Sequence, residues 1–168
     1  MTTFEISFII ACCNAGMFLR EAVASIQRQT GHFAIADIIV VDDRSDDTVT
    51  QDVLRKTAEL DRVRVFPNTG ARGAASAPNT GIAHVRGNRI AFMDADDILP
   101  EGSLELHCRT ASALPDCKWI SADYRVLRED GTVEEKSFYW FFCTWRLAEL
   151  LRIFIRMLAE PIRLPQIA

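Results

Sequence analysis

The chain has 168 residues, which is long enough for one domain with a sizeable hydrophobic core. Hydrophobic residues make up 49% and charged residues 25%, as in ordinary globular proteins, and the net charge of -4 argues against a nucleic-acid-binding surface. The first apolar run lacks a basic flank, and no stretch of about 18 apolar residues occurs, so we expect neither a signal peptide nor a membrane-spanning helix.

The cysteines form no CxxC pair and are odd in number, at positions Cys12, Cys13, Cys108, Cys117 and Cys143. This pattern favours reduced, mostly buried thiols over a disulfide framework or a zinc site. We therefore expect a cytoplasmic protein.

The first two-thirds of the chain alternate between strand and helix patterns. Residues 6–11 form a continuous apolar run that predicts a buried parallel strand, and residues 35–41 predict a second one. Between them, apolar residues at helical spacing predict a helix that ends near Gly31. A second helix, capped by Ser45 or Asp46, is expected to bury Val49, Val53, Leu54 and Leu60.

The alternation continues through three further units. Residues 63–66 predict a short strand, residues 77–85 a helix after a loop of small residues, and residues 89–93 a fourth strand. A helix over residues 102–114 and a strand over residues 118–123 follow. The pattern predicts an α/β fold with a mainly parallel sheet flanked by helices on both faces.

The end of the chain has a different pattern, which divides the sequence into a core over residues 1–125 and a tail over residues 126–168. Asp130 and Gly131 predict a hairpin turn. An aromatic run and an amphipathic helical pattern with a wide apolar face follow, over about residues 138–160. This face predicts a contact with the core, a second copy of the chain or a membrane surface.

Carboxylates cluster where two predicted strands end. Asp94, Asp96 and Asp97 follow the fourth strand, and Asp42 and Asp43 follow the second. Ligands of open α/β sheets bind beyond the carboxyl ends of the strands, so we expect both clusters to belong to one site. Oxygen-only ligands suit Mg²⁺ or Mn²⁺, and such an ion commonly also holds a phosphate.

Four segments in this order resemble the family-2 inverting glycosyltransferases of the GT-A fold. The family's opening strand corresponds to residues 6–14, its V-D-D-G-S-x-D-x-T motif to residues 41–48, and its D-A-D-D motif to residues 94–97. Its N-x-G loop and the A-R-N-x-G-I segment correspond to residues 68–70 and 77–82. The resemblance covers about residues 4–125.

The resemblance implies a nucleotide-diphosphate sugar donor, most often a UDP-sugar, and a divalent cation. By position, Asp43 would accept a hydrogen bond from the base, Asp94 would lie near the ribose, and Asp96 would bind the metal with Asp94 beside it. The other residues expected to contact the nucleotide are Ala11, Cys13, Asn14, Asp42, Arg72 and Asn79.

Three departures from the family pattern affect this expectation. Cys13 stands where the family has an aromatic residue that stacks on the base, and Pro78 stands where it has an arginine. The family takes its catalytic base from an acidic motif beyond the resembled segment, and no acidic pair follows residues 160–165. Glu129 and Asp130 are weak candidates because they fall on a predicted turn. The catalytic residue is therefore left unassigned.

Three readings remain open at this point. The first is a metal-dependent inverting glycosyltransferase that acts on a saccharide or lipid-linked acceptor. Such a protein could be cytoplasmic or peripheral at the inner face of the membrane. The second is a truncated or non-catalytic nucleotide-binding or assembly module of the same fold. The third is a receiver-like signalling domain, in which acidic strand ends hold magnesium. A nucleotidyltransferase is disfavoured because no glycine-rich phosphate loop follows the first strand.

Overall fold

A computed structural model describes residues 4–73, 75–128, 130–136 and 142–143. The alternation predicted from the sequence is present, with these strands and helices in chain order: β1 (Phe4–Cys12), α1 (Phe18–Gln27), β2 (Phe33–Asp42), α2 (Thr48–Thr57), β3 (Val63–Pro67), α3 (Ser76–Ile82), β4 (Arg89–Asp94), α4 (Ser103–Ala113), β5 (Trp119–Ile120), β6 (Tyr124–Leu127), β7 (Val133–Lys136) and β8 (Phe142–Cys143).

Among the described residues, six strands form the central sheet in the order β3-β2-β1-β4-β8-β5. Strands β1, β2, β3 and β4 pair in parallel, whereas β8 runs antiparallel to both β4 and β5. Strands β6 and β7 form the predicted hairpin as a separate two-stranded sheet. The prediction of a mainly parallel sheet flanked by helices is confirmed.

Helices cover the two faces of the sheet unequally. Ile6, Phe8 and Ile10 alternate along β1 toward a large core that includes buried residues of α1, α2 and α4. The opposite face, which carries Ile9, packs in a smaller cluster against α3, which is the one helix on this face among the described residues. The backbone of α3 lies so close to β1 that a Cβ atom on Gly81 would come within 2.5 Å of Ile9.

A buried ion pair joins β2 to β3 close to the end of α3. The Asp37 carboxylate is 1% exposed, accepts a hydrogen bond from Ser7 Oγ, and pairs with the Arg64 guanidinium. Arg64 also donates to the carbonyl of His84, just after α3, and Ser7 Oγ accepts from the backbone N–H of Gly87 at 2.9 Å. The network thus holds the segment between α3 and β4 against the sheet.

The structure corrects several local predictions. Asp47, not Ser45 or Asp46, caps α2, since its carboxylate accepts from the N–H of Thr50 at 2.7 Å. This places Val49 outward, 51% exposed. Leu60 lies beyond the end of the helix and is 41% exposed, so the predicted inner face is wrong at both ends. The buried residues of α2 are Thr50, Val53, Leu54 and Thr57.

Other boundaries differ by a few residues. Helix α1 ends at Gln27 rather than near Gly31, α3 ends at Ile82 rather than at residue 85, and β5 covers only two residues. The predicted tail over residues 138–160 lies outside the described residues, apart from β8. Within the described part of the chain, no helix is both long and apolar enough to cross a membrane.

Candidate functional site

The carboxyl ends of three neighbouring strands bring the predicted site residues to one edge of the sheet. In the sheet register, Cys12 of β1 lies beside Asp42 of β2, and Ala11 of β1 lies beside Asp94 of β4. Asp42 and Asp94 therefore flank β1 across two strand spacings, about 10 Å at the backbone. The two acidic strand ends therefore lie at the same edge of the sheet.

The end of β2 holds the buried carboxylate of Asp43. Asp43 is 7% exposed, and it accepts hydrogen bonds from the Asn68 amide at 2.6 Å and from the Gly73 N–H at 2.9 Å. The Asn68 bond is the main cause that lowers the pKa of Asp43, with smaller effects from Gly73, Arg72 and Arg44, against the opposing effect of burial. Asp43 is therefore ionised and fixed in orientation.

The turn after Asp43 has an unusual backbone. Arg44 has a φ of +63°, in the left-handed region, where the resembled family motif has glycine. Its guanidinium donates to the carbonyl of Gly70 at 2.9 Å, which ties the turn to the loop after β3. The N–H of Ser45 donates to the Asp42 side chain at 3.0 Å. Asp42 thus stabilises the turn in addition to its position at the sheet edge.

Asn14 connects the loop after β1 to the loop after β2. Its side-chain amide donates to Asp46 at 2.7 Å, its side-chain oxygen accepts from the Asp46 N–H at 2.9 Å, and its own N–H donates to Ser45 Oγ at 3.0 Å. A φ of +52° at this position suits asparagine. The structure gives Asn14 a bracing role, and its predicted contact with the nucleotide stays a prediction.

Cys13 and Arg72 lie together at the mouth of the site. Both residues are exposed, and Arg72 donates to the Cys13 sulfur at 3.1 Å. Arg72 is also close enough to Asp43 to lower the pKa of that carboxyl group. The contact brings a cation to the place where the family has an aromatic ring, so an arginine plane is available beside the position expected for the base.

The end of β4 carries carboxyl groups whose pKa values are shifted upward, in the direction opposite to that of Asp43. Asp94 and Asp96 are exposed, and Asp97 is half-buried. Desolvation of the carboxyl group, followed by the charges of its neighbours, raises the pKa of Asp97 to about 6, and the same two effects raise the pKa of Asp94. Neither Asp94 nor Asp96 takes part in a salt bridge within the described residues.

The donor atoms at the end of β4 fit a hard divalent cation. All are carboxylate oxygens, and Asp97 Oδ2 is buried with no hydrogen-bond partner. A cation would reverse the effects that raise the pKa of Asp94 and Asp97. The described residues include no group of three or more His, Cys, Asp or Glu side chains arranged around one metal position. Phosphate and water would therefore have to supply most of the ligands.

Asn79 lies on an exposed face of α3. It lines an open cavity of about 460 Å³ together with Thr69, Gly70, Ala75, Ser76, Thr80, Ala83 and His84. Neither Asp43 nor Asp94 lines this cavity. Thr80, which also lines the cavity, donates to Asn68 Oδ1 at 2.9 Å, and the predicted contact of Asn79 with the nucleotide stays a prediction.

Asp130, one of the two weak candidates for the catalytic base, is hydrogen-bonded within the hairpin turn that contains it. Its carboxylate accepts from the N–H of Thr132 at 2.9 Å and from the Thr132 hydroxyl at 2.6 Å, and these bonds lower the pKa of Asp130. A stabilised carboxylate in a hairpin turn fits the structural role. Glu129 lies outside the described residues.

The residue that sequence reasoning missed is Asn68. It appeared only as a letter of the N-x-G segment, yet it is buried and bonds to both the end of β2 and the start of α3. A turn asparagine is common in any sequence. The signal that could have identified it was its place in a family motif directly after a strand that borders the site.

A comparison with protein families decides the relationship. Residues 7–154 match the family described as glycosyl transferase family 2, which is most of the chain. The chain belongs to glycosyl transferase family 2.

Curated relatives agree with the family. Over 133 residues the chain is 33% identical to the UDP-Glc:alpha-D-GlcNAc-diphosphoundecaprenol beta-1,3-glucosyltransferase WfgD of Escherichia coli, covering 79% of this chain and 51% of the relative. Over 148 residues it is 36% identical to the glycosyltransferase GlyG of Streptococcus pneumoniae, covering 85% of this chain and 47% of the relative. The family-2 chain thus spans about half the length of these relatives.

Solved structures agree on the fold. The mannosyltransferase PcManGT of Pyrobaculum calidifontis, in complex with GDP-Man and Mn²⁺, superposes with a TM-score of 0.62 at 24% identity, over 76% of this chain and 37% of that one. TarS of S. aureus in complex with UDP-GlcNAc superposes with a TM-score of 0.55 at 21% identity, over 65% and 31%. The fold is the GT-A fold of the glycosyltransferases.

The receiver-like reading is wrong. Receivers have the doubly wound strand order 2-1-3-4-5. Here the parallel strands follow the order β3-β2-β1-β4, and a complete strand-helix unit precedes the acidic end of β2. Membership in the glycosyltransferase family agrees with this topology.

Proposed function

We propose that this family-2 chain binds a nucleotide-diphosphate sugar, with UDP as the first nucleotide to test, and a divalent cation at the edge formed by β1, β2 and β4. The observation that carries the proposal is the placement of Asp43 and Asp94 on either side of β1. One end offers a fixed, ionised hydrogen-bond acceptor. The other offers carboxylates whose pKa is raised and which lack a cation in the described residues.

Each of the two ends suits one part of such a ligand. Asp43 would accept the N–H of a base, and its fixed orientation supports discrimination between bases. Cys13 and Arg72 would border the base and Asp94 the ribose. Asp96, with Asp94 beside it, would hold Mn²⁺ or Mg²⁺, which supplies charge stabilisation for the departing diphosphate. Ala11, near the end of β1, and Asn14, in the loop after it, would contact the nucleotide between the two ends.

The reaction we propose is the transfer of the sugar to an acceptor hydroxyl with inversion at the anomeric carbon. The hydroxyl attacks from the face opposite the diphosphate, and a carboxylate base takes its proton. No described residue is assigned as that base, because Asp130 is bound within its own turn. A chain that binds the donor without completing transfer would show UDP binding but no sugar transfer, and a hydrolysis and transfer assay distinguishes this outcome.

The acceptor we propose is a saccharide or a lipid-linked saccharide, reached by a cytoplasmic protein at the inner face of the membrane. The support is the E. coli relative, whose name specifies a diphosphoundecaprenol acceptor. Cosedimentation of the full chain with anionic lipid vesicles tests the membrane contact. Recovery of the chain entirely in the supernatant would count against it.

Calorimetric titration of UDP into the full chain, with and without Mn²⁺, tests donor binding. We expect binding that requires Mn²⁺ and that Asp96→Ala weakens at least about 100-fold, as expected for loss of a charged ligand contact. The matched control is Asp116→Ala, which removes an exposed carboxylate just after α4 and should bind like the wild type. Competition between UDP and GDP identifies the base.

A failure of both UDP and GDP to bind the wild-type chain would contradict the proposed function. Binding that persists without metal, or that Asp96→Ala leaves intact, would contradict the assignment of the metal. Equal loss in Asp96→Ala and Asp116→Ala would show a nonspecific effect of charge on the acidic chain.

A further inference from the structure

We propose that Asn68 is a positioning residue for nucleotide recognition, which holds the Asp43 carboxylate in the orientation that reads the base. The proposal rests on the proposed function, because it assigns a role within the same donor site. It adds a residue that does not itself touch the ligand.

The hydrogen bonds of Asn68 occupy both ends of its side-chain amide. On the donor side, Nδ2 binds Asp43 Oδ1 at 2.6 Å and the Ala71 carbonyl at 3.1 Å. On the acceptor side, Oδ1 receives the Gly70 N–H at 3.0 Å, the Ser76 hydroxyl at 3.0 Å and the Thr80 hydroxyl at 2.9 Å. An amide supplies this combination of donors and an acceptor, whereas a carboxylate supplies only acceptors.

The position of Asn68 is fixed from three directions. Its own N–H donates to the carbonyl of Asp42 at 2.8 Å, so its backbone extends the pairing between β2 and β3. Its side chain then reaches the loop at Gly70 and the first turns of α3 through Ser76 and Thr80. Asn68 is 7% exposed, and its bonds are therefore little weakened by competing water.

Asp43 depends on Asn68 for its orientation. Of its two described hydrogen-bond donors, Gly73 lies in an exposed loop, whereas Asn68 is buried. The charged groups near Asp43 are Arg44 in the same turn and Arg72 in the loop after β3, with Asp42 preceding it in the chain. Both arginines are exposed, and they lower the pKa of Asp43 less than the Asn68 amide does. Asn68 is thus the rigid link between α3 and the carboxylate.

The substitution Asn68→Asp separates the contribution of the Asn68 side-chain oxygen from that of its side-chain nitrogen. It keeps an oxygen for Gly70, Ser76 and Thr80. It replaces the Nδ2 donor, which faces Asp43 and the Ala71 carbonyl. At pH 8 two carboxylates then oppose each other, and we expect UDP affinity to fall at least about tenfold. At lower pH the new carboxyl group becomes protonated and can donate to Asp43, so affinity should recover.

The readout is the ratio of wild-type to variant affinity for UDP with Mn²⁺ between pH 8 and pH 5.5. The ratio cancels any protonation at Asp94 or Asp97 that both proteins share. We expect it to fall toward one as the pH falls. The titrations are made at a temperature at which circular dichroism shows both proteins to be fully folded at every pH, and under that condition a role limited to folding would leave the ratio constant.

Two further variants keep the proposal falsifiable. Ser76→Ala removes one donor to Asn68 Oδ1 but leaves the bond to Asp43, so it should bind UDP like the wild type. The double substitution Asp43→Asn with Asn68→Asp exchanges the two groups and restores a bond between them. It should recover the thermal stability lost in Asn68→Asp but not UDP affinity, because the carboxylate no longer stands at position 43.

The outcomes are distinct. A constant affinity ratio, wild-type affinity of Asn68→Asp at pH 8, or wild-type affinity of the exchanged double variant would overturn the role of Asn68 while the donor site stands. Failure of the wild-type chain itself to bind nucleoside diphosphates would overturn the proposed function, and the role of Asn68 with it.

Discussion

The two acidic strand ends of this family-2 chain have similar sequences but opposite electrostatic states. At the end of β2, Asp43 and Asp47 accept hydrogen bonds from within the chain, and their pKa values are lowered. At the end of β4, desolvation and mutual repulsion raise the pKa values of Asp94 and Asp97. A carboxylate whose bonds come from the fold is a fixed recognition element. One that is destabilised by the fold is suited to bind a cation.

The comparison predicts that removing a charge has opposite effects on stability at the two ends. The largest change in stability is expected for Asp43→Ala, which deprives the Asn68 amide and the Gly73 N–H of their acceptor. We expect the free energy of unfolding at pH 7 to fall by about 2–3 kcal/mol, as for buried hydrogen bonds to a charged group. Chemical denaturation measures it.

The pH dependence of that loss has a definite sign. The pKa of Asp43 is lower in the folded state than its ordinary 3.8, so its stabilising effect is complete above about pH 4 and is lost as the pH falls through the folded value. The control Asp61→Ala removes an exposed carboxylate near Arg62 and should cost less than about 0.5 kcal/mol. Equal effects of the two variants would show that the end of β2 is not a closed network.

At the other end, Asp97→Asn should stabilise the protein in the absence of metal and nucleotide. The folded state raises the pKa of Asp97 from 3.8 to about 6, so the ionised group is destabilising above about pH 6 and harmless below about pH 4. At pH 8 we expect a gain of about 1–2 kcal/mol, allowing for partial exposure to solvent. The gain relative to the wild type should disappear as the pH falls from 6 to 4.

Denaturation across this pH range, with Asp116→Asn as the exposed control, measures the effect. A variant less stable than the wild type at pH 8 would mean that Asp97 has an internal partner. The two strand ends would then be alike.

The smallest effect is expected at the helix cap. Asp47→Ala removes the acceptor for the Thr50 N–H at the start of α2 and should lower the melting temperature by about 3 °C. Asp47→Ser keeps a capping oxygen and should recover most of that loss. If Asp47→Ala melts like the wild type, hydrogen bonding at the end of β2 is less important for stability than we infer.

The sequence predicted the part of the fold that periodicity controls. Continuous apolar runs identified β1, β2 and β4. The acidic residues at the ends of β2 and β4 lie at one edge, because parallel strands share a direction. Periodicity failed where a helix boundary decides which residues face inward. Because Asp47 caps α2, Val49 points outward, and local propensity could not distinguish Asp47 from Asp46 as the cap.

The position of the acidic strand ends was predictable from the sequence, but the hydrogen bonds around them were not. Family motifs led to Asp43, Asp94 and Asp96, whereas the network around Asn68 depends on contacts between residues 25 positions apart. No spacing rule contains such contacts. The hydrogen bond between Arg72 and Cys13 joins residues 59 positions apart and could not be predicted from the sequence either.

The most direct test of the account is a crystal structure of the full chain with UDP and Mn²⁺, with the metal located by its anomalous scattering. We predict the uracil ring at Asp43 and the metal at Asp96 between the protein and the two phosphates. A nucleotide whose base lies away from Asp43, or a metal bound away from the end of β4, would contradict the assignment of one donor site to the two strand ends.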